Sequence, residues 1–191
     1  MVAEIKTIGH GMRPIDEFLS MLREHGVEQL LDVRTAPGSR RNPQFGKDEL
    51  PRSLAGANIA YVHLPALGGF RKLREDSPNG AWRNESFRGF ADYMLTDEFQ
   101  AALDTLVEMS EARSTAIMCS ESVPWRCHRS LIADALTVRN IPVLHLLSPA
   151  SARPHTLTPF AHLDGTYLTY PAVTEDDSPA RPLETDEATG S

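Results

Sequence analysis

The chain has 191 residues, of which 41% are hydrophobic and 24% are charged, a composition that suits one globular domain and argues against a fibrous or wholly disordered chain. Its formal net charge of −7 argues against broad electrostatic attraction to nucleic acid or to an anionic membrane. No stretch approaches the roughly 18 apolar residues of a membrane span, and the opening MVAEIKTIGH is too short and polar for a secretory signal, so we expect a cytoplasmic protein with no membrane partner.

The first part of the chain alternates between strand and helix patterns. VAEIKTIG predicts a strand, and RPIDEFLSMLREHG predicts a helix that begins near Pro14 and stops at Gly26. EQLLDVR and NIAYVHLP predict a second and a third strand. Between them lie a loop rich in glycine and proline and a short predicted helix, KDELPRSLAGA.

The same alternation continues after a long polar connection. ESFRGFADYML and TDEFQAALDTLVEMSEA predict two helices, the second capped by Thr96. STAIMCS predicts strand four, RSLIADALTVRN predicts a helix that ends near Asn140, and IPVLHLL predicts strand five. Farther on, GTYLTY predicts a small additional β element.

Strands that alternate with helices predict a single Rossmann-like α/β domain, with a mostly parallel sheet of about five strands and helices on both faces. We expect this domain to span residues 1–171. Residues 172–191 have too little apolar content to offset their ordering entropy, and they predict an acidic, mobile tail. Residues 34–90, by contrast, hold ten basic and five acidic side chains, so this segment is locally positive.

The unusual residues of the chain follow the carboxyl ends of the predicted strands, which is where open parallel sheets bind ligands. The helix that starts near His128 adds free N–H groups and a positive dipole end, and both favour a bound anion. Arginine side chains at the same edge would strengthen that preference. We therefore predict an anion site built from the following residues: His10, Arg34, Arg71, Arg129 and Ser130.

Both cysteines of the chain lie within CSESVPWRCHRS, residues 119–130. A thiol with an ordinary pKa of about 8.5 is only about 3% ionised at pH 7, whereas a helix N-terminus and arginines that lower the pKa to about 6 would make it roughly 90% thiolate. We predict that Cys119 or Cys127 is a nucleophile or redox thiol, and we expect Cys127 to be the more exposed. Glu121 and His128 are the predicted proton-transfer groups, and His128 is favoured because its ordinary pKa lies near neutrality.

Three other interpretations of the same residues stay open. Cysteine, glutamate and histidine are zinc ligands, but the spacing here departs from that of known zinc sites, so we predict no metal and no cofactor. The positive segment, with Trp82 and Phe87 as stacking groups, would suit a nucleotide or single-stranded nucleic acid, which we do not favour for a chain of this net charge. A reversible disulfide between the two cysteines would make the protein a thiol sensor.

Four motifs resemble the bacterial and archaeal family called domain of unknown function 488: TIGHG, LLDVRTAPGSRRNPQF, YVHLPALGGFR and CSESVPWRCHRSLIADAL. The resemblance covers about residues 5–170. Its most specific part is a cysteine, one residue, a glutamate and then Cys-His-Arg, matched here by Cys119, Glu121, Cys127, His128 and Arg129. It implies an α/β, Rossmann-like domain but no established activity.

A weaker likeness is to rhodanese domains, which also carry an early LLDVR strand, a strand that ends in cysteine and an Arg-Ser pair that opens the next helix. In rhodaneses the loop from cysteine to arginine closes tightly around the sulfur. Here nine residues separate Cys119 from Arg129. The sequence as a whole predicts an enzyme acting on a small phosphate- or sulfur-containing anion, as a cysteine-dependent transferase or hydrolase, and it carries no signal for an oligomeric state.

Overall fold

The structure, a computed structural model, describes residues 4–173. Its strands are β1 (Ile5–Gly9), β2 (Gln29–Asp32), β3 (Ala60–His63), β4 (Thr115–Cys119), β5 (Val143–Ser148), β6 (Ser151–Pro154), β7 (His162–Asp164) and β8 (Tyr167–Thr169). Its helices are α1 (Ile15–Glu24), α2 (Glu49–Gly56), α3 (Glu85–Met94), α4 (Asp97–Ala112) and α5 (Arg129–Thr137). The predicted tail lies outside the described residues except for its first two positions.

The main sheet has six strands in the order β3-β2-β4-β1-β5-β6, and β7 pairs with β8 in a separate ribbon. Strands β1 to β5 run parallel, which confirms the predicted α/β class with a mostly parallel sheet. The sheet has one strand more than expected because the chain turns back directly after β5 and adds β6 antiparallel at the edge. GTYLTY contains β8, so the additional β element is also present.

Two hydrophobic clusters cover the two faces of this sheet. One cluster contains the apolar side of α1 and α2, and the other contains the apolar side of α3, α4 and α5. Every residue of β2 and β4 is buried, as expected for strands covered on both faces. The predicted cap is also present, since the Thr96 hydroxyl accepts a hydrogen bond from the amide of Phe99 at 3.2 Å.

The strand order places the carboxyl ends of β1 and β4 next to each other, with Gly9 opposite Cys119 in the register. Backbone hydrogen bonds continue past both strand ends, from His10 to the Cys119 carbonyl at 3.0 Å and from Gly11 to the Ser120 carbonyl at 2.9 Å. The loops after β1 and β4 therefore leave the sheet together. Within residues 4–173, no helix has the length and apolar character needed to cross a membrane.

Gly9 lets these two loops cross in contact. A Cβ atom at this position would lie 1.7 Å from the carbonyl oxygen of Glu121 and 2.7 Å from Nη2 of Arg129. Both neighbours are constrained, because Arg129 Nη2 donates to that same carbonyl at 2.6 Å. The site loop after β4 can occupy its place only if residue 9 has no side chain.

We expect Gly9→Ala to lower the free energy of unfolding by about 3 kcal/mol or more, at the upper end of the cost of overpacking, because the added methyl group would overlap backbone. Urea denaturation followed by circular dichroism measures the change. Gly56→Ala is the matched control, since Gly56 ends α2 with open space around it and the substitution should stabilise the helix by roughly 0.5–1 kcal/mol. Equal stabilities of the Gly9→Ala variant and the unmodified protein would contradict the described crossing of the loops.

Candidate functional site

A cavity of about 870 Å³ opens beyond the carboxyl ends of β1, β2 and β4. It lies at the edge of the sheet where the sequence predicts a ligand site. Six of the nine predicted site residues line it: His10, Arg34, Cys119, Glu121, Cys127 and His128. The other three, Arg71, Arg129 and Ser130, are not among its lining residues.

The Cys127 side chain turns back toward the start of α5. A 3₁₀ turn over Pro124–Arg126 precedes it, and the Cys127 amide donates to the Pro124 carbonyl at 3.0 Å. The extended conformation of Cys127 then brings its sulfur to 3.5 Å from the backbone nitrogen of Arg129 and 3.4 Å from Nε of the same residue. Both N–H groups donate to the sulfur, so the helix N-terminus and the guanidinium act on one atom.

The two thiols have opposite acidities. Burial raises the pKa of Cys127, but the neighbouring Cys119 side chain and the charge and hydrogen bonds of Arg129 outweigh burial and lower that pKa to about 6. The interaction with Cys127, followed by burial, raises the pKa of Cys119 to about 12. At neutral pH the pair therefore holds one thiolate, on Cys127, and one thiol, on Cys119.

The expectation that Cys127 is the more exposed cysteine is wrong. Cys127 is 3% exposed and Cys119 is 7% exposed, and both belong to the hydrophobic cluster on the α5 face. The reason is the turn before α5, which directs the Cys127 side chain inward beneath Arg129 rather than outward. Both residues nevertheless contribute to the cavity wall.

His128 lies beside both sulfurs. Its Nδ1 is 3.6 Å from Sγ of Cys127 and 3.8 Å from Sγ of Cys119, and its ring packs edge-on against Phe90. Its Nε2 is buried without a hydrogen-bond partner among the described residues. Because a buried N–H without an acceptor is costly, a proton on Nδ1, facing the sulfurs, is favoured over one on Nε2.

Gly69 makes room for the His128 ring. A Cβ at Gly69 would lie 2.7 Å from the ring Nδ1. The loop after β3 therefore passes over the histidine in backbone contact. This close approach is the structural role of the second glycine in the GGF motif.

Arg129 is buried in the protein and does not face the cavity. It is 1% exposed, its Nη1 donates to the Thr7 hydroxyl at 3.2 Å and its Nη2 donates to the Glu121 carbonyl. Within residues 4–173, no carboxylate lies within ion-pair distance of this guanidinium. The Cys127 sulfur is the ionisable group that Arg129 contacts directly, so Arg129 acts on the thiol instead of on a bound anion as expected.

Arg34 reaches the cavity with its charge already offset. Its Nε donates to Oδ1 of Asp32 at 2.8 Å and its Nη2 donates to Oδ2 at 2.6 Å, and the pair is buried. Its Nη1 lies 3.4 Å from Nε2 of His10. Burial lowers the pKa of His10, whose Nδ1 contacts the Gly11 carbonyl at 2.8 Å. Neither residue therefore brings an unbalanced positive charge to the cavity.

Arg71 and Ser130 lie away from this cavity. Arg71 donates to the carbonyls of Pro65, Ala66 and Gly68, and its guanidinium lies 3.6 Å above the Tyr93 ring. The Ser130 hydroxyl donates to the Cys127 carbonyl at 2.9 Å and fixes the first turn of α5. The structure therefore does not gather Arg34, Arg71 and Arg129 into one anion pocket, because two of the three are used to hold the backbone and the thiol.

Two arginines that sequence reasoning missed line the cavity instead, Arg41 and Arg126. Both are exposed, and neither has an ion-pair partner within the described part of the chain. Arg126 directly precedes Cys127, and this adjacency is the sequence signal that could have identified it. Glu121 is also exposed on the wall, so its carboxylate stays in contact with solvent.

The ligand atoms of Cys119, Cys127 and His128 lie within 4.8 Å of one another, a group compact enough to hold a metal ion. Zinc would bind both sulfurs as thiolates. One thiolate already balances Arg129, whereas a divalent ion would neutralise both thiolates and leave the buried guanidinium without a negative partner. The charge balance of the site therefore favours a thiol–thiolate pair over a metal centre.

The protein-family model described as Domain of unknown function DUF488 matches residues 14–136 of the chain. The matched range covers more than half of the chain and is shorter than the resemblance expected from the sequence. It includes both cysteines, His128 and Arg129, while His10 lies outside it. Comparison with curated proteins and with solved structures gave no match, so the likeness to rhodanese domains stays a prediction from sequence.

The opposite thiol acidities give a test of the site. We expect iodoacetamide to alkylate Cys127 with a rate that rises through a midpoint near pH 6, because the thiolate is the reacting form and Arg129 stabilises it. The Cys119→Ser variant should keep a fast phase with a low midpoint. The Cys127→Ser variant should lose the fast phase. Mass spectrometry of the alkylated peptides against pH measures both.

Metal analysis of protein purified without added zinc is the control for this experiment. Stoichiometric zinc would assign both sulfurs as thiolate ligands and would contradict the pair of one thiol and one thiolate. Two midpoints near the ordinary value of about 8.5 would contradict it as well.

Proposed function

This chain belongs to the family described as Domain of unknown function DUF488, and we propose that it is a cysteine-dependent enzyme that acts on a small phosphate- or sulfur-containing anion. In this proposal Cys127 is the nucleophile and Cys119 is its acid–base partner. Arg41 and Arg126 attract the anion to the cavity wall. The reaction class is group transfer, with water or a second small molecule as the acceptor.

The observation that carries the proposal is the contact between Cys127 and Arg129. A guanidinium that is 1% exposed needs a negative partner, since an unpaired buried charge is strongly unfavourable. The sulfur at 3.4 Å from Nε supplies that charge only as a thiolate. A thiolate held at the wall of a cavity of about 870 Å³ is placed to react with a ligand in that cavity.

The proposed first step forms one bond and breaks one bond. The Cys127 thiolate attacks the electrophilic phosphorus or sulfur atom of the substrate, and the bond from that atom to its leaving group breaks. The leaving group keeps the electron pair and takes the Cys119 proton. Attack removes the hydrogen bond between Cys119 and the Cys127 thiolate, which is the main reason for the raised pKa of Cys119, so Cys119 becomes a stronger acid as its proton is needed.

The second step restores the starting state. An acceptor molecule attacks the transferred group, the bond to Sγ breaks, and Cys127 leaves as the thiolate that Arg129 stabilises. The proton of the acceptor returns to Cys119. His128 donates from Nδ1 to whichever sulfur carries the charge, since this atom lies within 3.8 Å of both.

The charge of the cavity wall favours an anionic substrate. Asp32 offsets Arg34 and Arg129 offsets the Cys127 thiolate, so the charges that remain on the wall are those of Arg41, Arg126 and the exposed Glu121, which sum to a net positive value. The two arginines are solvent-exposed and can move onto a ligand. An anion bound there lies at the same wall as the nucleophilic sulfur.

Two alkylating agents, one anionic and one neutral, test the proposed preference of the cavity for anions. We expect the anion iodoacetate to modify Cys127 several-fold faster, relative to neutral iodoacetamide, than it modifies a free thiol under the same conditions. Millimolar inorganic phosphate or sulfate should slow the reaction. Arg126→Gln and Arg41→Gln should each reduce the iodoacetate preference, and added salt should reduce it as well.

Arg40→Gln is the matched control, because Arg40 is exposed in the same loop as Arg41 but does not line the cavity. This variant should keep the preference of the unmodified protein. A ratio of iodoacetate to iodoacetamide rates equal to that of a free thiol, with no effect of phosphate or sulfate, would contradict an anionic substrate.

A second candidate function is a thiol sensor, which the proximity of the two sulfurs favours. Hydrogen peroxide would oxidise Cys127 to a sulfenic acid with release of one water, and Cys119 would then displace the hydroxyl group as a second water to form the disulfide. We expect mild peroxide to remove two hydrogens from the peptide pair 119 and 127, as measured by mass spectrometry. Thiols that persist after peroxide treatment would contradict this function.

The structure gives less support to nucleic-acid binding. The Trp82 ring packs against Phe87, Phe160 and Tyr170 with ring centroids 5.0, 4.9 and 5.4 Å apart. A tryptophan in such a cluster serves the packing of the domain and does not present a free face to a base. Nucleic acid thus stays an alternative that no contact in the described residues favours. The cytoplasmic location also stays a prediction.

A further inference from the structure

Arg129 is held from behind, on the side away from the cavity, by a continuous line of buried hydrogen bonds. We call this line the buried chain, and its members are Thr7, His145, His155 and Asp134. We propose that the buried chain positions Arg129 against the sulfur of Cys127 and so determines the acidity of that thiol. This inference rests on the proposed function, in which Cys127 reacts as a thiolate.

The contacts of the buried chain are short at every link. Nη1 of Arg129 donates to the Thr7 hydroxyl at 3.2 Å, and that hydroxyl lies 2.7 Å from Nδ1 of His145. Nε2 of His145 lies 2.9 Å from Nδ1 of His155. Nε2 of His155 lies 2.8 Å from Oδ1 of Asp134.

The buried chain joins three elements of the fold. Thr7 lies in β1 and His145 in the adjacent strand β5, directly opposite each other in the register. His155 follows β6, and Asp134 lies on α5 one and a half turns after Arg129. The helix that carries the guanidinium thus also carries the far end of the chain, so the sheet and α5 are fixed to each other by this line.

Burial makes each link costly to break. Thr7 and Asp134 are fully buried, His145 is 6% exposed and the His155 side chain is 7% exposed. Asp134 accepts two further hydrogen bonds, from the amide of Thr158 at 2.9 Å and from the hydroxyl of Tyr170 at 2.8 Å. A group with three donors around it acts as an acceptor, which is the role of a carboxylate.

The direction of the protons follows from these contacts. Burial, followed by the charges of His155, Arg129 and Arg153, lowers the pKa of His145 to about 4, so this ring is neutral at neutral pH and has one N–H. His155 donates from Nε2 to Asp134. Nδ1 of His155 accepts from Nε2 of His145, and Nδ1 of His145 accepts from the Thr7 hydroxyl.

The reverse direction leaves a proton without an acceptor. If the ring of His145 donated from Nδ1, the Thr7 oxygen would receive two N–H groups, and its own O–H would need another partner. Among the described residues, the Thr7 hydroxyl contacts only Arg129 and His145. A buried hydroxyl without an acceptor is strongly unfavourable, so the buried chain runs from Arg129 toward Asp134.

The consequence is electrostatic as well as geometric. All dipoles in the buried chain point the same way, with their negative ends toward Arg129 and the Asp134 carboxylate at the far end. Nη1 of Arg129 is held at the Thr7 oxygen, so Nε stays at the sulfur. The other titratable groups that face the Cys127 sulfur are Cys119 and His128, and neither contacts the buried chain.

Removing the Thr7 hydroxyl tests this positioning role. We expect Thr7→Val, which keeps the side-chain volume, to raise the midpoint of Cys127 alkylation by iodoacetamide by about one pH unit, because a freed guanidinium leaves the sulfur. Thr7→Ser restores the hydroxyl and should return the midpoint to that of the unmodified protein. A merely structural role of Thr7 would lower stability without moving this midpoint.

Thr115→Val is the matched control. Thr115 is a fully buried threonine of the neighbouring strand β4, and its hydroxyl makes two hydrogen bonds, to Gln29 and to the Arg113 carbonyl. Its loss should leave the alkylation midpoint unchanged. An unmoved midpoint in Thr7→Val, with a low midpoint in the unmodified protein, would overturn the positioning role and leave the proposed function intact. An ordinary midpoint in the unmodified protein would overturn the proposed function itself.

A measurement on the unmodified protein covers the case in which Thr7→Val does not fold. The ¹⁵N chemical shifts of the imidazole rings report which nitrogen carries the proton. The buried chain requires His145 and His155 both to be protonated on Nε2 and unprotonated on Nδ1 at neutral pH. A proton on Nδ1 of His145 would overturn the proposal.

Discussion

The organisation of this protein depends on one buried pair, the guanidinium of Arg129 and the sulfur of Cys127. Both groups lie in the interior, at 1% and 3% exposure, where a charge without a partner is strongly unfavourable. The α5 N-terminus holds the sulfur with a backbone amide, and the guanidinium holds it with Nε. A thiol in this position is an acid because the positive charge beside it is buried and cannot be screened by water.

The rest of the fold keeps that pair in register. The Glu121 carbonyl accepts a hydrogen bond from Nη2 of Arg129. It can do so only because Gly9 lets the loop after β4 cross the end of β1. The Thr7 hydroxyl accepts a hydrogen bond from Nη1 of Arg129, and Thr7 lies in β1, one of the two central strands of the sheet. The three nitrogens of the guanidinium therefore contact three different parts of the fold. A shift of any of these parts would change the position of Nε relative to the sulfur.

The arginines of the site divide into two groups by burial. Arg34 and Arg129 are buried and have partners, so they set the shape and electrostatics of the wall. Arg41 and Arg126 are exposed and line the same cavity, so they can meet a ligand. This division explains how a chain with a net charge of −7 can have a net positive wall at this cavity.

The sequence by itself determined the α/β class, the element order and the edge of the sheet at which most of the candidate site residues lie. These features follow from local periodicity and from the rule that parallel strands bring their carboxyl ends together. The motif around Cys119, Cys127 and His128 could also be identified from the sequence, because its residues are close together in the chain.

Only the tertiary structure decided which arginines face the cavity and which cysteine is ionised. Arg71 and Arg129 looked like ligands for an anion, but contacts with residues far away in sequence direct one to loop carbonyls and the other to a sulfur. The role proposed for His145 follows only from its contacts with Thr7 and His155. Such contacts depend on side-chain direction and burial, and no local pattern in a sequence encodes those.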